Sequence, residues 1–220
     1  MRVVAISDTH GMHEQLDLPD GDVLVHAGDY SCRGDGEEFL AFCAWFAAQP
    51  FRHKLLTPGN HDIVLEKDPG SVLPQLPREI TLLQDRALTL EGVPFYGSPW
   101  TPRYGYWSFM LDRGEPLRER WSKIPAETQV LITHGPPYGH GDFVPGYLGR
   151  PGRAVGCLEL LQAVARVQPA WHVYGHIHEG YGISQSDEVP GTRFVNAALC
   201  EADYHSLREP LVFDVEPPSR

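Results

Sequence analysis

Five short apolar runs in this chain end in the same way. "RVVAIS" leads into Asp8-Thr9-His10, "DVLVHAG" into Asp29 and "HKLLTPG" into Asn60-His61-Asp62; "QVLIT" leads into His134-Gly135-Pro136-Pro137 and "AWHVYG" into His176-Ile177-His178. Continuous apolar runs of this length, bounded by Gly or Pro, read as strands buried on both faces. In open α/β sheets, ligands bind beyond the carboxyl ends of the strands. The runs therefore predict a layered fold in which carboxylates, imidazoles and an amide converge on one sheet edge.

Two helices are legible between the runs. "GEEFLAFCAWFAAQ" sets Phe39, Phe42, Cys43 and Phe46 at helical spacing before Pro50, and "VGCLELLQAVARVQ" does so with Leu158, Leu161, Val164 and Val167 before Pro169. "ITLLQDRALTLEGVPFYGSPW" reads as a β-hairpin turning at Glu91-Gly92, and the tail reads as short strands. Strands interspersed with helices predict an α/β (α+β) fold of two packed sheets with helices outside. At 220 residues, with 42% hydrophobic and 21% charged, the chain is expected to form a single domain over 1–220.

Composition narrows the function classes. A net charge of -11 argues against an extended nucleic-acid-binding face. No apolar run approaches the roughly 18 residues of a membrane span, and "MRVVAISDTHG" has none of the features of a secretory leader. Cys32, Cys43, Cys157 and Cys200 lie far apart with no C-x-x-C pair, as expected of free thiols in a reducing cytoplasm. The expectation is a soluble, cytoplasmic protein without a membrane partner.

Oxygen and imidazole donors without thiolates suit manganese, iron, zinc and similar ions. The seven candidates Asp8, His10, Asp29, Asn60, His134, His176 and His178 exceed the needs of one four-coordinate ion. They suit two ions sharing a carboxylate bridge, for which Asp29 is the natural choice. In this order, D-x-H, G-D, G-N-H-D, T-H-G and G-H-x-H resemble the calcineurin-like metallophosphoesterase superfamily from Asp8 to His178. "YGSPWTPRYGYWSF", "ITHGPPYGHGD", "VGCLELL" and "GHIHEGYG" extend the resemblance to the metallophosphoesterase-domain-containing proteins of the fetal-brain type and their bacterial relatives.

The resemblance implies a four-layer αββα sandwich, two mixed sheets flanked by helices. It implies one divalent ion on Asp8, His10, Asp29 and His178 and a second on Asp29, Asn60, His134 and His176. Manganese is foremost; iron, zinc, nickel, cobalt and magnesium are alternatives. It further implies that His61 acts as general acid or transition-state stabiliser, with Asp62 orienting it. The reaction would be phosphoester hydrolysis by a hydroxide bridging the two ions.

The leading substrate class that the resemblance implies is a small phosphodiester such as a cyclic nucleotide. A phosphomonoester, a phosphoprotein or a nucleic-acid strand at the same site are alternatives, and a non-catalytic interaction protein is the contrasting class. Trp100, Tyr104 and His140 are candidate substrate contacts, with a surface-loop role the alternative for His140; Arg103, Arg150 and Arg153 are expected at the surface, with a phosphate grip as the alternative. His26, mid-run in "VLVHAGD", is either a partnered core residue or a hydrogen-bonder to a ligand. An exposed aromatic patch would offer a homodimer contact. In "HVYGHIHEGYG", an extended backbone would send His176 and His178 to one side and Ile177 to the other.

Overall fold

The structure is a computed structural model, and it describes residues 1–146, 151–201 and 203–218. The strands are β1 (Arg2–Ile6), β2 (Val23–His26), β3 (His53–Leu56), β4 (Ile80–Leu82), β5 (Arg86–Leu90), β6 (Val93–Ser98), β7 (Thr101–Pro102) and β8 (Met110–Leu111). They continue with β9 (Val130–Thr133), β10 (Phe143–Val144), β11 (Arg153–Ala154), β12 (Trp171–Tyr174), β13 (Gly182–Gln185), β14 (Arg193–Asn196) and β15 (Leu211–Asp214). The helices are α1 (Gly36–Ala48), α2 (Val64–Lys67), α3 (Pro69–Val72), α4 (Glu115–Ser122) and α5 (Leu158–Val167).

Two large mixed sheets form. The first has the order β15-β1-β2-β3-β4, parallel except for β15; the second has the order β13-β14-β12-β9-β6-β5, parallel except for its two edge strands. Alternation along each strand divides the core, because successive side chains leave opposite faces. Val3, Ala5, Val23, Val25 and Leu55 meet Val93, Phe95, Val130, Ile132, Val173 and Val195 between the sheets. Their neighbours Val4, Ile6, Leu24, Leu56, Leu131 and Phe194 turn outward and join the cluster that includes the helices' apolar residues. Burial on both faces is why these strands read as unbroken apolar runs, and the result is the four-layer sandwich.

Helix α1 begins at Asp35, whose carboxylate accepts the Glu38 N–H at 3.0 Å, and buries Phe39, Phe42, Cys43 and Phe46 as their spacing predicts. In α5 the buried face is Leu160, Leu161, Ala163, Val164 and Val167, whereas Leu158, expected inside, is 48% exposed. At 3.6 residues per turn, position 158 falls off the face that carries Val164. The Glu91-Gly92 turn forms with positive φ at both residues (49° and 85°), joining β5 to β6. Ile80–Leu82, which the sequence assigned to the same hairpin, instead pairs with β3 in the first sheet. Helix α4, unread from the sequence, is held by Leu117 and Trp121, with the Trp121 indole donating to Cys157 Sγ at 3.3 Å. No helix among the described residues is long and apolar enough to cross a membrane.

Asp85 sits where the chain passes from one sheet to the other, at φ 51°. Its carboxylate accepts from Ser98 Oγ (2.7 Å), Trp100 Nε1 (2.9 Å) and Arg120 Nη1 (3.0 Å), tying β6 and α4 to the crossover. Asp85→Ala would strand a buried indole N–H and an arginine, and is expected to lower unfolding free energy by about 2–3 kcal/mol. Urea denaturation followed by tryptophan fluorescence measures it.

Candidate metal centre

The loops after β1, β2, β3, β9 and β12 open on one edge of the sandwich. Asp8, His10, Asp29 and Asn60 come from the first sheet; His134, His176 and His178 come from the second. The loops are cross-tied: Asp8 N–H donates to Gly28 O (2.8 Å), His10 N–H to Asp29 O (3.1 Å) and Gly175 N–H to His134 O (2.9 Å). His176 N–H donates to Asp8 Oδ2 (2.8 Å) and His61 N–H to Asp29 Oδ1 (2.7 Å).

Backbone conformation here departs from the ordinary. Asp8, His10, Asp29 and His176 all have positive φ (52°, 41°, 57° and 69°), which non-glycine residues rarely adopt. Such strain gathers where a site over-determines it. Glycines give the necessary approach: a Cβ on Gly175 would lie 2.0 Å from Asp8 Oδ2, and one on Gly59 would lie 2.2 Å from Asp29 Oδ1.

Among the described residues, three groups have donor atoms within 4.8 Å of one another: Asp8, His10 and His178; His10, Asp29 and His61; and Asp29, His134 and His176. Hydrogen bonds show which ring nitrogens are available. His134 Nδ1 donates to Ala27 O at 3.0 Å, so its Nε2 lone pair faces Asn60 Oδ1 (2.9 Å) and Asp29 Oδ2 (3.3 Å). His10 Nδ1 donates to Ser31 O at 3.2 Å, which leaves Nε2 bare. Asp8 Oδ1 is buried without a hydrogen-bond partner, 3.4 Å from His178 Nε2.

Lone pairs aimed at one another are satisfied by a cation or by a proton. The donor set thus fits two divalent ions. The same carboxylates favour the protonated form of the imidazoles they face. Burial pushes His134 down, but the Asp29 charge overrides it and raises its pKa to about 9; burial likewise opposes the Asp8 contacts that raise His178 to about 10. Burial pushes Asp29 up and His134 draws it down to about 2. Ion binding must displace these protons.

His26 holds the first two loops together. Its Nδ1 accepts the Gly28 N–H at 3.2 Å, so the proton is on Nε2, which donates to Thr9 Oγ1 at 3.0 Å. It is both a core residue and a brace beside ligands.

Several expectations are corrected. Asp62 does not orient the His61 ring. Its carboxylate accepts from Asp29 N (2.9 Å), Gly59 N (2.7 Å) and Ser31 (Oγ 2.9 Å, N 3.3 Å), so it organises the loops, while the His61 Nδ1–H donates to Cys32 O at 3.1 Å. Trp100 is buried on the Asp85 bond with Arg120 over its ring at 4.3 Å, and His140 is buried against Phe194 at 3.8 Å, so neither is a wall of the cleft. Nor is His176-Ile177-His178 extended: His176 is left-handed and His178 begins a 3₁₀ turn. Ile177 is buried as expected.

Tyr104 does reach the site, its ring 5.2 Å from that of His176. Arg103 and Arg153 line the adjoining cleft; Arg150 lies outside the described residues. Sequence reasoning missed Tyr204, whose ring lies 5.4 Å from His10 and 5.2 Å from His178, and Trp107, stacked on His61 at 4.2 Å. Trp107 lies within the ring-rich stretch "YGSPWTPRYGYWSF"; Tyr204 had no signal beyond being a tyrosine near the chain end.

Two outcomes test this geometry. Gly175→Ala is expected to take up far less divalent metal, measured by elemental analysis after metal loading and dialysis, whereas Gly191→Ala, with nothing within 4 Å of the added methyl, matches the unsubstituted protein. Burial lowers the pKa of His26 to about 3 from 6.5, so below pH 6.5 the unfolded chain takes a proton that the folded chain refuses. Its stabilisation is complete above pH 6.5 and lost as pH falls toward 3. In the metal-free protein His26→Gln is expected to flatten the acid limb of urea stability by about 1.4 kcal/mol per pH unit.

A family profile described as Calcineurin-like phosphoesterase matches residues 1–180. The chain is 38% identical over 240 residues to Metallophosphoesterase domain-containing protein 1 of Homo sapiens, spanning 99% of this chain and 72% of that protein. A UPF0046 protein of Caenorhabditis elegans is 39% identical over 235 residues, 99% of this chain and 82% of the relative. Among solved structures, TT1561 of Thermus thermophilus shares the fold with a TM-score of 0.63 at 13% identity, over 90% of this chain and 91% of that one. Phosphopantetheinyl Hydrolase from Mycobacterium tuberculosis does so with a TM-score of 0.56 at 17% identity, over 88% and 87%. Matching that family in sequence over most of its length, and bringing the family's clustered metal donors to one edge of a four-layer sandwich, the chain belongs to the calcineurin-like phosphoesterases, metal-dependent phosphoester hydrolases with a dinuclear centre.

Proposed function

We propose that this protein is a phosphodiesterase for small phosphodiesters, with cyclic nucleotides as the leading class, and that manganese fills its two metal positions. The observation that carries the reading is the cleft beside the donor clusters. It has a volume of about 760 Å³, and its lining includes His176 and His178 together with Arg103, Tyr104, Arg113, Tyr138, Arg153 and Tyr204. That volume suits a small ligand. Phenol rings offer faces to a second ester substituent, which a monoester lacks, and the arginines favour an anion in a chain whose net charge is -11. The four free thiols suit a reducing compartment, and we place the protein in the cytoplasm.

Asp8, His10, Asp29 and His178 would hold one ion, and Asp29, Asn60, His134 and His176 the other. Bound there, such ions supply an acidified water and neutralise charge on the phosphoryl oxygens. The chain's own part follows from its hydrogen bonds. The His61 Nδ1–H is committed to Cys32 O, so Nε2 is the atom available to hold a proton for the departing oxygen. Asp62, through the Asp29 and Gly59 N–H groups, keeps the two ligand loops in register. Arg113 is tied to Gly156 O and Val155 O at 2.7 and 2.6 Å, which fixes a positive charge at the cleft wall.

With Mn²⁺ added, the protein is expected to hydrolyse bis-p-nitrophenyl phosphate faster than p-nitrophenyl phosphate. Asn60→Ala is expected to slow the diester reaction about a hundredfold or more, the scale on which a misplaced reactant loses rate. A faster monoester reaction would overturn the diester reading. Unchanged activity in Asn60→Ala would overturn the site itself.

A further inference from the structure

The His61 ring is held on three sides. Cys32 O accepts its Nδ1–H, the His10 ring meets it edge-on at 4.9 Å and 82°, and the Trp107 indole stacks on it at 4.2 Å and 29°. The first two contacts belong to the ligand-bearing loops; the third comes from the segment between β7 and β8 and has no other evident purpose. Trp107 is 37% exposed, too open to count as core.

Its placement is nevertheless built. Ser108 N–H donates to Asn60 O at 3.2 Å, linking the residue after Trp107 to the residue before His61. Phe109 follows at φ 52°, fully buried and packed edge-on against Trp100 at 5.8 Å. On the other side Gly105, at φ 60°, lies under the indole: a Cβ there would sit 3.6 Å from Trp107 Cδ1. The indole is thus stacked on the imidazole with Gly105 beside its Cδ1–Nε1 edge and with the backbone anchored on the Ser108 and Phe109 side.

We propose that Trp107 is a positioning residue for His61, acting by confining the imidazole plane while Nδ1–H stays on Cys32 O and Nε2 is left free. The inference rests on the role given to His61 above and deepens it. A stack alone contributes modestly. Confining a proton donor matters more for a poor leaving group, which needs the proton in the transition state, than for an activated one.

The test compares two Mn²⁺-assisted substrates, methyl p-nitrophenyl phosphate and methyl phenyl phosphate, in wild type, His61→Ala, Trp107→Ala, Trp107→Phe and the double alanine variant. Trp107→Ala is expected to lower kcat for the phenyl ester by roughly tenfold, with KM and the p-nitrophenyl reaction nearly unchanged, on the scale of a lost positioning contact. Trp107→Phe should restore most of that loss, and Trp107→Ala should add nothing in the His61→Ala background. A raised KM on both substrates, or additive losses in the double variant, would overturn the proposal in favour of a substrate wall. If His61→Ala shows no leaving-group dependence, the role of His61 itself fails, which is a separate result. Independently of turnover, the His61 ring protons, identified by their loss in His61→Ala, should be shifted upfield by the indole and should move in Trp107→Ala. Unchanged resonances would also overturn it.

Discussion

Asp29 is a fully enclosed carboxylate surrounded by side chains that, like itself, offer lone pairs. Its Oδ2 faces the ring of His134, its Oδ1 is capped by the His61 N–H, and its own N–H is held by Asp62. A charge removed from water needs an opposite charge or dense hydrogen bonding. Against the pull of burial, His134, which faces it, is raised to about 9 by that charge, whereas burial holds His176 down to about 3. The donors clustered around Asp29, His10, His134 and His176, are of the kind that hold divalent cations.

The cost of assembling such a site is carried by the layers beneath it. Four ligands in left-handed conformation cost on the order of 1–3 kcal/mol each, and Gly59 and Gly175 are needed for ligands to approach backbone. The opposing contribution is a core in which every central strand is buried on both faces, so that strand ends are fixed in space. One sheet delivers the carboxylates, the amide and His10; the other delivers three histidines. Two of the three donor clusters draw on both sheets, and the bridge between Ser7 and Ala198 shows how closely their strand ends meet.

What was legible in the sequence follows from this burial. Strands covered on both faces read as unbroken apolar runs, so β1, β2, β3, β9 and β12 and the residues after them could be located, as could α1 and the Glu91-Gly92 turn. Helix α4 was not legible, because eight residues with Leu117 and Trp121 as their only buried members give too little periodicity. Nor did composition tell which aromatic faces what. Trp100 and Trp107 are seven positions apart in one cluster, yet one is sealed against Asp85 and Arg120 and the other lies on His61. A ring's contribution to burial does not depend on direction, so the sequence carries no sign for it.

The sequence by itself determined the donor chemistry: oxygen and imidazole, in an order and number suited to two ions, each placed at a strand end. Only the tertiary structure decided which donors share a cluster, that Asp62 serves the loops rather than His61, and that His176 and His178 part company through a left-handed residue and a 3₁₀ turn. The reason is distance along the chain. His176 N–H meets Asp8 across 168 positions and His134 meets Asn60 across 74, and contacts at such separation are set by how two sheets pack, which no local pattern encodes.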